Sequence, residues 1–158
     1  MASLARPGLA AGPCLLKDTM QLGSFNHGSF VLGQAAMMVN EGLPYLLVQD
    51  IKRNYPLSYM TVGILGMAFK PNNDDPRSSL SYKLRKVLLL EARQVLCTDP
   101  YVPDPDLTPL AEVLDQADLL IVGTPHDEYR NLVCRQPLFD VTNTIKPVRG
   151  NPTAPEAK

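Results

Sequence analysis

The sequence predicts an α/β fold in which a parallel sheet with flanking helices follows a helical segment. Three observations carry that expectation. Residues 61–65, TVGIL, form an apolar, partly β-branched run of strand length that passes into a polar loop and then a helical pattern. Residues 118–124, DLLIVGT, are almost wholly apolar, as the buried middle of a parallel sheet requires. After the first run the strand, loop and helix plan repeats, and a chain that returns to its sheet through helices pairs its strands in parallel.

The elements follow in chain order. Residues 1–11 are small and irregular and read as a join, not as the start of a domain. Pro13 is well placed as the first residue of a helix, with Cys14 in its first turn, where the positive helix end attracts the reactive thiolate form. Lys17 and Asp18 lie three and four residues on, so a nucleophile, a cation and a carboxylate share one helix face. Such a patch can perform covalent chemistry on a carbonyl. The plainer reading is a small hydrophobe beside a solvated ion pair. His27 falls in the polar GSFNHGS turn and is expected in solvent. Residues 30–54 read as helix, with Val31, Ala35, Met38 and Val39 on one side; Gly42 and Pro44 are expected to kink or divide it, Pro44 opening a second helix. So much apolar surface needs covering, and an interface is the favoured cover.

A domain boundary is expected near Pro56, before the strand at 61–65. The loop 70–76 that follows can continue neither strand nor helix. Asp75-Pro76 reads as an N-cap followed by proline at the first helical position, and places Arg77, Ser78 and Ser79 in the first turn. Unpaired N–H groups, a dipole end, Lys70 and Arg77 then converge on one loop that suits a phosphate. The alternative is a solvated polar loop. From Arg77 to about Arg93 the stripe Leu80, Leu84, Val87 and Leu88 marks a buried helix face. Residues 95–97 make a second strand, with Cys97 in the core. Asp99 ends it, either as a ribose ligand or, more simply, as part of a turn. A proline-rich loop leads to a short helix at 110–116. His126 follows the strand at 118–124, as a nucleotide contact or a solvated loop residue. Residues 128–135 read as a short helix with an inert Cys134, residues 138–141 close the sheet, and the chain from 146 onward reads as disordered.

Composition sets limits. A formal net charge of -1 without runs of like charge gives no electrostatic case for nucleic acid or an anionic membrane surface. The most apolar segment, 30–51, is interrupted by Asn40, Glu41 and Pro44, so no membrane span is expected. The N-terminus lacks the pattern of a signal peptide. Three cysteines without metal-ligand spacing suit a reducing, cytoplasmic location and no metal site.

Two motifs point further. The string LGMAFKPNNDDPRSS resembles the pattern LGxAFKxxTDDxRxS that opens the C-terminal domain of the UDP-glucose/GDP-mannose dehydrogenase family, and Gly8, Gly12, Cys14, Lys17 and Asp18 match the family's glycine-rich approach and its GxCxxKD signature. This resemblance implies a Rossmann-like fold and a nucleotide-sugar alcohol oxidised to a uronic acid by two hydride transfers to NAD, through a cysteine thiohemiacetal and thioester. It implies Cys14 as nucleophile, Lys17 as the stabiliser of oxyanion charge and Asp18 as the group acting on water. Gly8, Phe69 and Lys70 are implied as substrate contacts, Arg77 as a cofactor contact, and 30–54 as a linking helix that forms a homodimer. The implied organisation is a cysteine segment with linking helices over 1–56, a UDP-sugar-binding α/β domain over 57–146 and a disordered tail over 147–158.

The chain departs from the family pattern in places. Ala10, Ala11 and Leu16 stand where glycines and proline are common, and Thr142-Asn143 stands where many relatives carry an arginine that contacts substrate. No GxGxxG occurs, so the resemblance covers the C-terminal part of a complete enzyme, and the chain alone is expected not to turn over NAD. A nucleotide-sugar-binding module without redox chemistry is the second reading, and a generic doubly wound interaction domain the third.

Overall fold

A computed structural model of the chain describes residues 8, 9, 11–142 and 145. The expectations for residues 1–7, Ala10, Asn143 and the tail fall outside them. The helical opening is two helices, α1 (Pro13–Phe25) and α2 (Val31–Lys52), packed on each other. Gly12, at φ 139, supplies the turn into α1, and Pro13 occupies the first helical position as expected. Between the helices the chain reverses through exposed His27 and Gly28, both at positive φ. Pro44 does not divide α2. The helix runs through it, and Pro44 itself is buried, so packing outweighs the one hydrogen bond a proline removes.

The two ends of α2 have different surroundings. Its second half buries Val48 and Ile51 against the sheet, while Val31, Leu32, Met38 and Val39 near its start remain exposed. Two ion pairs, Lys52–Glu91 at 2.6 Å and Lys83–Glu41, tie α2 to the helix it packs against, α3 (Leu80–Glu91).

The sheet contains β1 (Thr61–Leu65), β2 (Gln94–Thr98), β3 (Leu119–Val122) and β4 (Leu138–Phe139) in the order β2-β1-β3-β4, all parallel. It is the expected Rossmann-like α/β fold. A short helix, α4 (Leu110–Gln116), precedes β3. One sheet face presents Val62, Ile64 and Ile121 to Ile51, Leu84 and Leu88; the other presents Leu65, Leu120 and Val122 to Val113 and Ala117 of the α4 region. Every residue of β1 and β3 is buried, which explains why their sequences carry no polar alternation.

Several boundaries differ from expectation. Helix α3 starts at Leu80, capped by the Ser79 hydroxyl, which accepts the Ser81 N–H at 3.2 Å. Asp75-Pro76 is not its cap, because Ser78 at φ 56 breaks the path between them. The expected helix at 128–135 is a single 3-10 turn, Asp127–Tyr129, and β4 has two residues where 138–141 was expected. Cys97 is buried as expected, Cys134 is buried too, and burial pushes both thiols up, Cys97 to about 11.

The chain leaves β1 for β2 on one side and returns to β3 on the other. A crevice therefore opens at the carboxyl ends of β1 and β3, where sheets of this class hold ligands. Two glycines let the strand ends close up. A Cβ on Gly66, at φ 92, would lie 2.6 Å from Thr124 Cβ, and one on Gly123 would lie 2.6 Å from the Gly66 carbonyl.

Candidate functional site

Beyond β1 the chain runs through Met67, Ala68, Phe69 and Lys70 across the crevice. Its path is fixed from beneath. The Thr124 hydroxyl donates to the Ala68 carbonyl at 2.5 Å and the Ser79 hydroxyl does so at 3.1 Å. The Asp99 carboxylate accepts the N–H groups of Met67 at 2.6 Å and Ala68 at 3.0 Å. The same carboxylate accepts Tyr101 N–H at 2.8 Å, Val102 N–H at 3.0 Å, and a bond from His126 Nε2 at 2.9 Å. Burial opposes its charge, but the bonds from His126, Met67, Tyr101 and Val102 outweigh burial and hold the carboxyl well below the usual range. With its side chain wholly buried, Asp99 is the turn residue of the simpler reading and does not reach a ribose.

His126 is neither a solvated loop residue nor a ligand contact. It is fully buried, with its ring between those of Tyr101 and Tyr129 at 5.1 and 5.7 Å. Its Nδ1 accepts the Asn72 N–H at 2.9 Å. Asn72, at φ 53, is further bound to Asp127: its side-chain NH2 donates to the Asp127 carboxylate at 2.9 Å and its side-chain oxygen accepts the Asp127 N–H at 3.0 Å. Local spacing gave no signal for this clasp, whose partners are 54 and 55 residues apart.

Above this floor stand the residues singled out in the sequence. Phe69 is half-buried, and the exposed Lys70 extends its ammonium to 5.3 Å from the Phe69 ring centre. A Cβ on Gly12 would stand 3.2 Å from the same ring, so the start of α1 rests on the loop after β1. Cys14, in the first turn of α1, is exposed, and so is the Arg77 guanidinium. Asp75 holds that guanidinium with bonds to Nε at 3.0 Å and to a terminal nitrogen at 2.7 Å. Those bonds, with the Arg77 N–H, keep the Asp75 carboxyl below its ordinary range. Lys17 and Asp18 are exposed and 3.4 Å apart. Gly8 abuts Thr142, whose N–H and hydroxyl both donate to Asp140 at 3.0 and 2.6 Å. The structure thus joins Gly12, Phe69 and Lys70 in one group. Arg77 lies in the loop before α3, not in its first turn.

Among the described residues no group of His, Cys, Asp and Glu could hold a metal ion, and no helix is long and apolar enough to cross a membrane. The Arg77 guanidinium is exposed while paired with Asp75.

Comparison with known proteins gives this arrangement its setting. Residues 63–147 match the UDP-glucose/GDP-mannose dehydrogenase family, UDP binding domain. The chain belongs to that family. It is 33% identical over 100 residues to the UDP-N-acetyl-D-mannosamine dehydrogenase of Methanocaldococcus jannaschii, covering 62% of this chain and 23% of the relative. With the enzyme of the same name from Pyrococcus horikoshii it is 31% identical over 132 residues, covering 80% of this chain and 31% of the relative. The solved structure of the UDP-D-ManNAc dehydrogenase from Pyrococcus horikoshii superposes with a TM-score of 0.80 at 28% identity, over 94% of this chain and 38% of that one. The chain therefore spans well under half the length of the family members it matches. The LGMAFKPNNDDPRSS string, residues 65–79, lies within the residues matched to the family, and the Gly8–Asp18 motif lies before them.

Proposed function

We propose that this chain is the substrate-binding and thiol-bearing part of an NAD-dependent nucleotide-sugar 6-dehydrogenase, which oxidises the C6 alcohol of a UDP-sugar to a carboxylate. The observation that supports it best is the seating of Gly12 on Phe69. Through this contact the start of the helix that carries Cys14 rests on the loop that carries Lys70, beside the switch point of the sheet. Family membership supports UDP as the nucleotide.

Each residue takes the role that its match to the family motifs implies. Lys70, exposed at the crevice, offers its ammonium to a phosphate; Phe69 offers a half-buried ring edge, and Gly8 a close backbone approach. NAD, bound mainly by structure outside these residues, supplies the hydride acceptor, and Arg77 is the group here that faces it. Cys14 sulfur adds to the C6 aldehyde carbon to give a thiohemiacetal, which yields a thioester at the next oxidation level. Lys17 offsets the oxyanion charge of these steps, and Asp18 orients the water that frees the acid. The Lys17–Asp18 pair must separate for both roles, which two exposed partners do at little cost. The 158 residues contain no GxGxxG, so hydride transfer is expected only with a dinucleotide site supplied from elsewhere. The exposed apolar residues near the start of α2 are proposed as a homodimer contact, and a cytoplasmic location fits the free thiols.

Calorimetric titration with UDP, GDP and NAD tests this reading. Saturable UDP binding is expected, weakened by Lys70→Ala by about 10- to 100-fold, the worth of a charge-assisted bond. Binding of UDP in a reconstituted enzyme that cannot oxidise a UDP-sugar would favour the non-redox module. A wild-type chain that binds no nucleotide, or a Lys70→Ala chain that binds as well as wild type, would overturn the assignment of the loop.

A further inference from the structure

We propose that His126 is a positioning residue for the loop 70–75: its unprotonated Nδ1, oriented by Asp99, accepts the Asn72 N–H and thereby fixes where Lys70 stands. The inference rests on the reading of Lys70 as the phosphate contact, and it concerns a side chain that touches no ligand. Three facts support it. First, the ring is fully buried, so both nitrogens must find partners inside the protein. Second, the partners fix the tautomer. An amide N–H can only donate, so Nδ1 is the acceptor at 2.9 Å and the ring proton sits on Nε2, facing the Asp99 carboxylate at 2.9 Å. Third, Asp99 is itself immobile, because four backbone N–H groups converge on it from Met67, Ala68, Tyr101 and Val102.

The consequence runs through the backbone. Asp99 holds the residues before Lys70 directly, through Met67 and Ala68, and holds the residues after it indirectly, through His126 and Asn72. Lys70 is the outward bend between two anchors on one buried carboxylate. Asn72 takes a left-handed conformation that asparagine tolerates and most residues do not, so its path needs an outside restraint, and the ring supplies it from below while Asp127 supplies it from the side. Loss of the ring acceptor leaves Asn72 restrained only from the side by Asp127, so the loop loosens and the Lys70 ammonium samples positions away from the phosphate.

The test has an arm that needs no ligand. In long-range proton–nitrogen correlation spectra of the labelled full chain at neutral pH, His126 is expected as the neutral Nε2–H tautomer, with exposed His27 as the reference. Hydrogen exchange at the Asn72 amide is expected to be slow in wild type and in His126→Asn, whose side-chain oxygen can accept the same bond, and fast in His126→Phe. In the second arm UDP is titrated by calorimetry. The Phe variant, folded by circular dichroism, is expected to bind about tenfold or more weakly, and the Asn variant to recover most of the loss. An imidazolium or an Nδ1–H tautomer, or an unprotected Asn72 amide in wild type, would overturn the inference whatever UDP does. Undiminished UDP binding by His126→Phe would overturn it while leaving the Lys70 site standing. A clasped Asn72 in a wild-type chain that binds no UDP would bring down the nucleotide reading and the positioning role together.

Discussion

Replacing Asp99 by asparagine keeps the shape of the side chain and removes its charge and one acceptor oxygen. Five donors converge on the carboxylate: Met67 N–H, Ala68 N–H and His126 Nε2 on one oxygen, Tyr101 N–H and Val102 N–H on the other. Whichever way the new amide turns, its NH2 meets at least two N–H groups. Each orphaned buried donor costs about 1–3 kcal/mol, and the surviving bonds lose their charge assistance. The Tyr101 amide can recover water at the exposed edge of the site, so the expected loss is about 2–5 kcal/mol. Urea unfolding followed by circular dichroism reads this as a fall in midpoint of about 1–2.5 M, taking a slope of about 2 kcal/mol per M. The pH dependence follows from the depressed carboxyl. The folded state binds the Asp99 proton less readily than the unfolded chain, so the stabilisation is fully present above the unfolded value of about 3.9 and is lost as pH falls toward the folded one. The gap between wild type and Asp99→Asn is expected to be flat through neutral pH and to narrow below about pH 4. A loss under about 1 kcal/mol, or a gap that does not narrow in acid, would refute the structural role of the carboxylate.

Further outcomes follow from the same geometry. Gly66→Ala combines a left-handed backbone with a Cβ placed 2.6 Å from Thr124 Cβ, and is expected to cost about 3 kcal/mol or more, read as a large drop in melting temperature. Ellman titration at mildly alkaline pH is expected to find Cys14 reactive in the folded chain and Cys97 and Cys134 reactive only in denaturant, since burial raises both of the latter; prompt reaction of all three would contradict the core. Leu32 and Val39, exposed by 81% and 63%, are proposed dimer contacts, so Leu32→Glu with Val39→Lys is expected to weaken self-association by about tenfold or more in sedimentation equilibrium, with the melting temperature unchanged.

The parts legible in the sequence were those whose signal is local. TVGIL and LLIV announce buried parallel strands because both of their faces are covered, and Pro13 marks the start of α1 because a proline there costs no hydrogen bond. The family motif at residues 65–79 was legible for the same reason, being short and contiguous. The start of α3 was not. Asp75-Pro76 has the composition of a cap, but the Asp75 carboxylate is taken by the Arg77 N–H at 2.9 Å and by its guanidinium, and the cap falls to Ser79. Pro44 reads as a break where burial lets the helix pass through it. His126 was the largest miss. A histidine after a strand reads as a loop residue, and only the tertiary fold brings Asp99 and Asn72, 27 and 54 residues away in sequence, onto its two nitrogens. Gly12 and Phe69, 57 residues apart, are likewise united only by the fold.

The central claim is that the loop after β1 and the start of α1 together receive a UDP-sugar. The most direct measurement is the map of backbone amide shifts in the labelled chain as UDP is added to saturation. The account predicts saturable shifts concentrated at Gly12, Phe69 and Lys70 and in the residues following β3, with the faces of α3 and α4 unaffected. Shifts that fail to saturate, or that gather away from the carboxyl ends of β1 and β3, would contradict it.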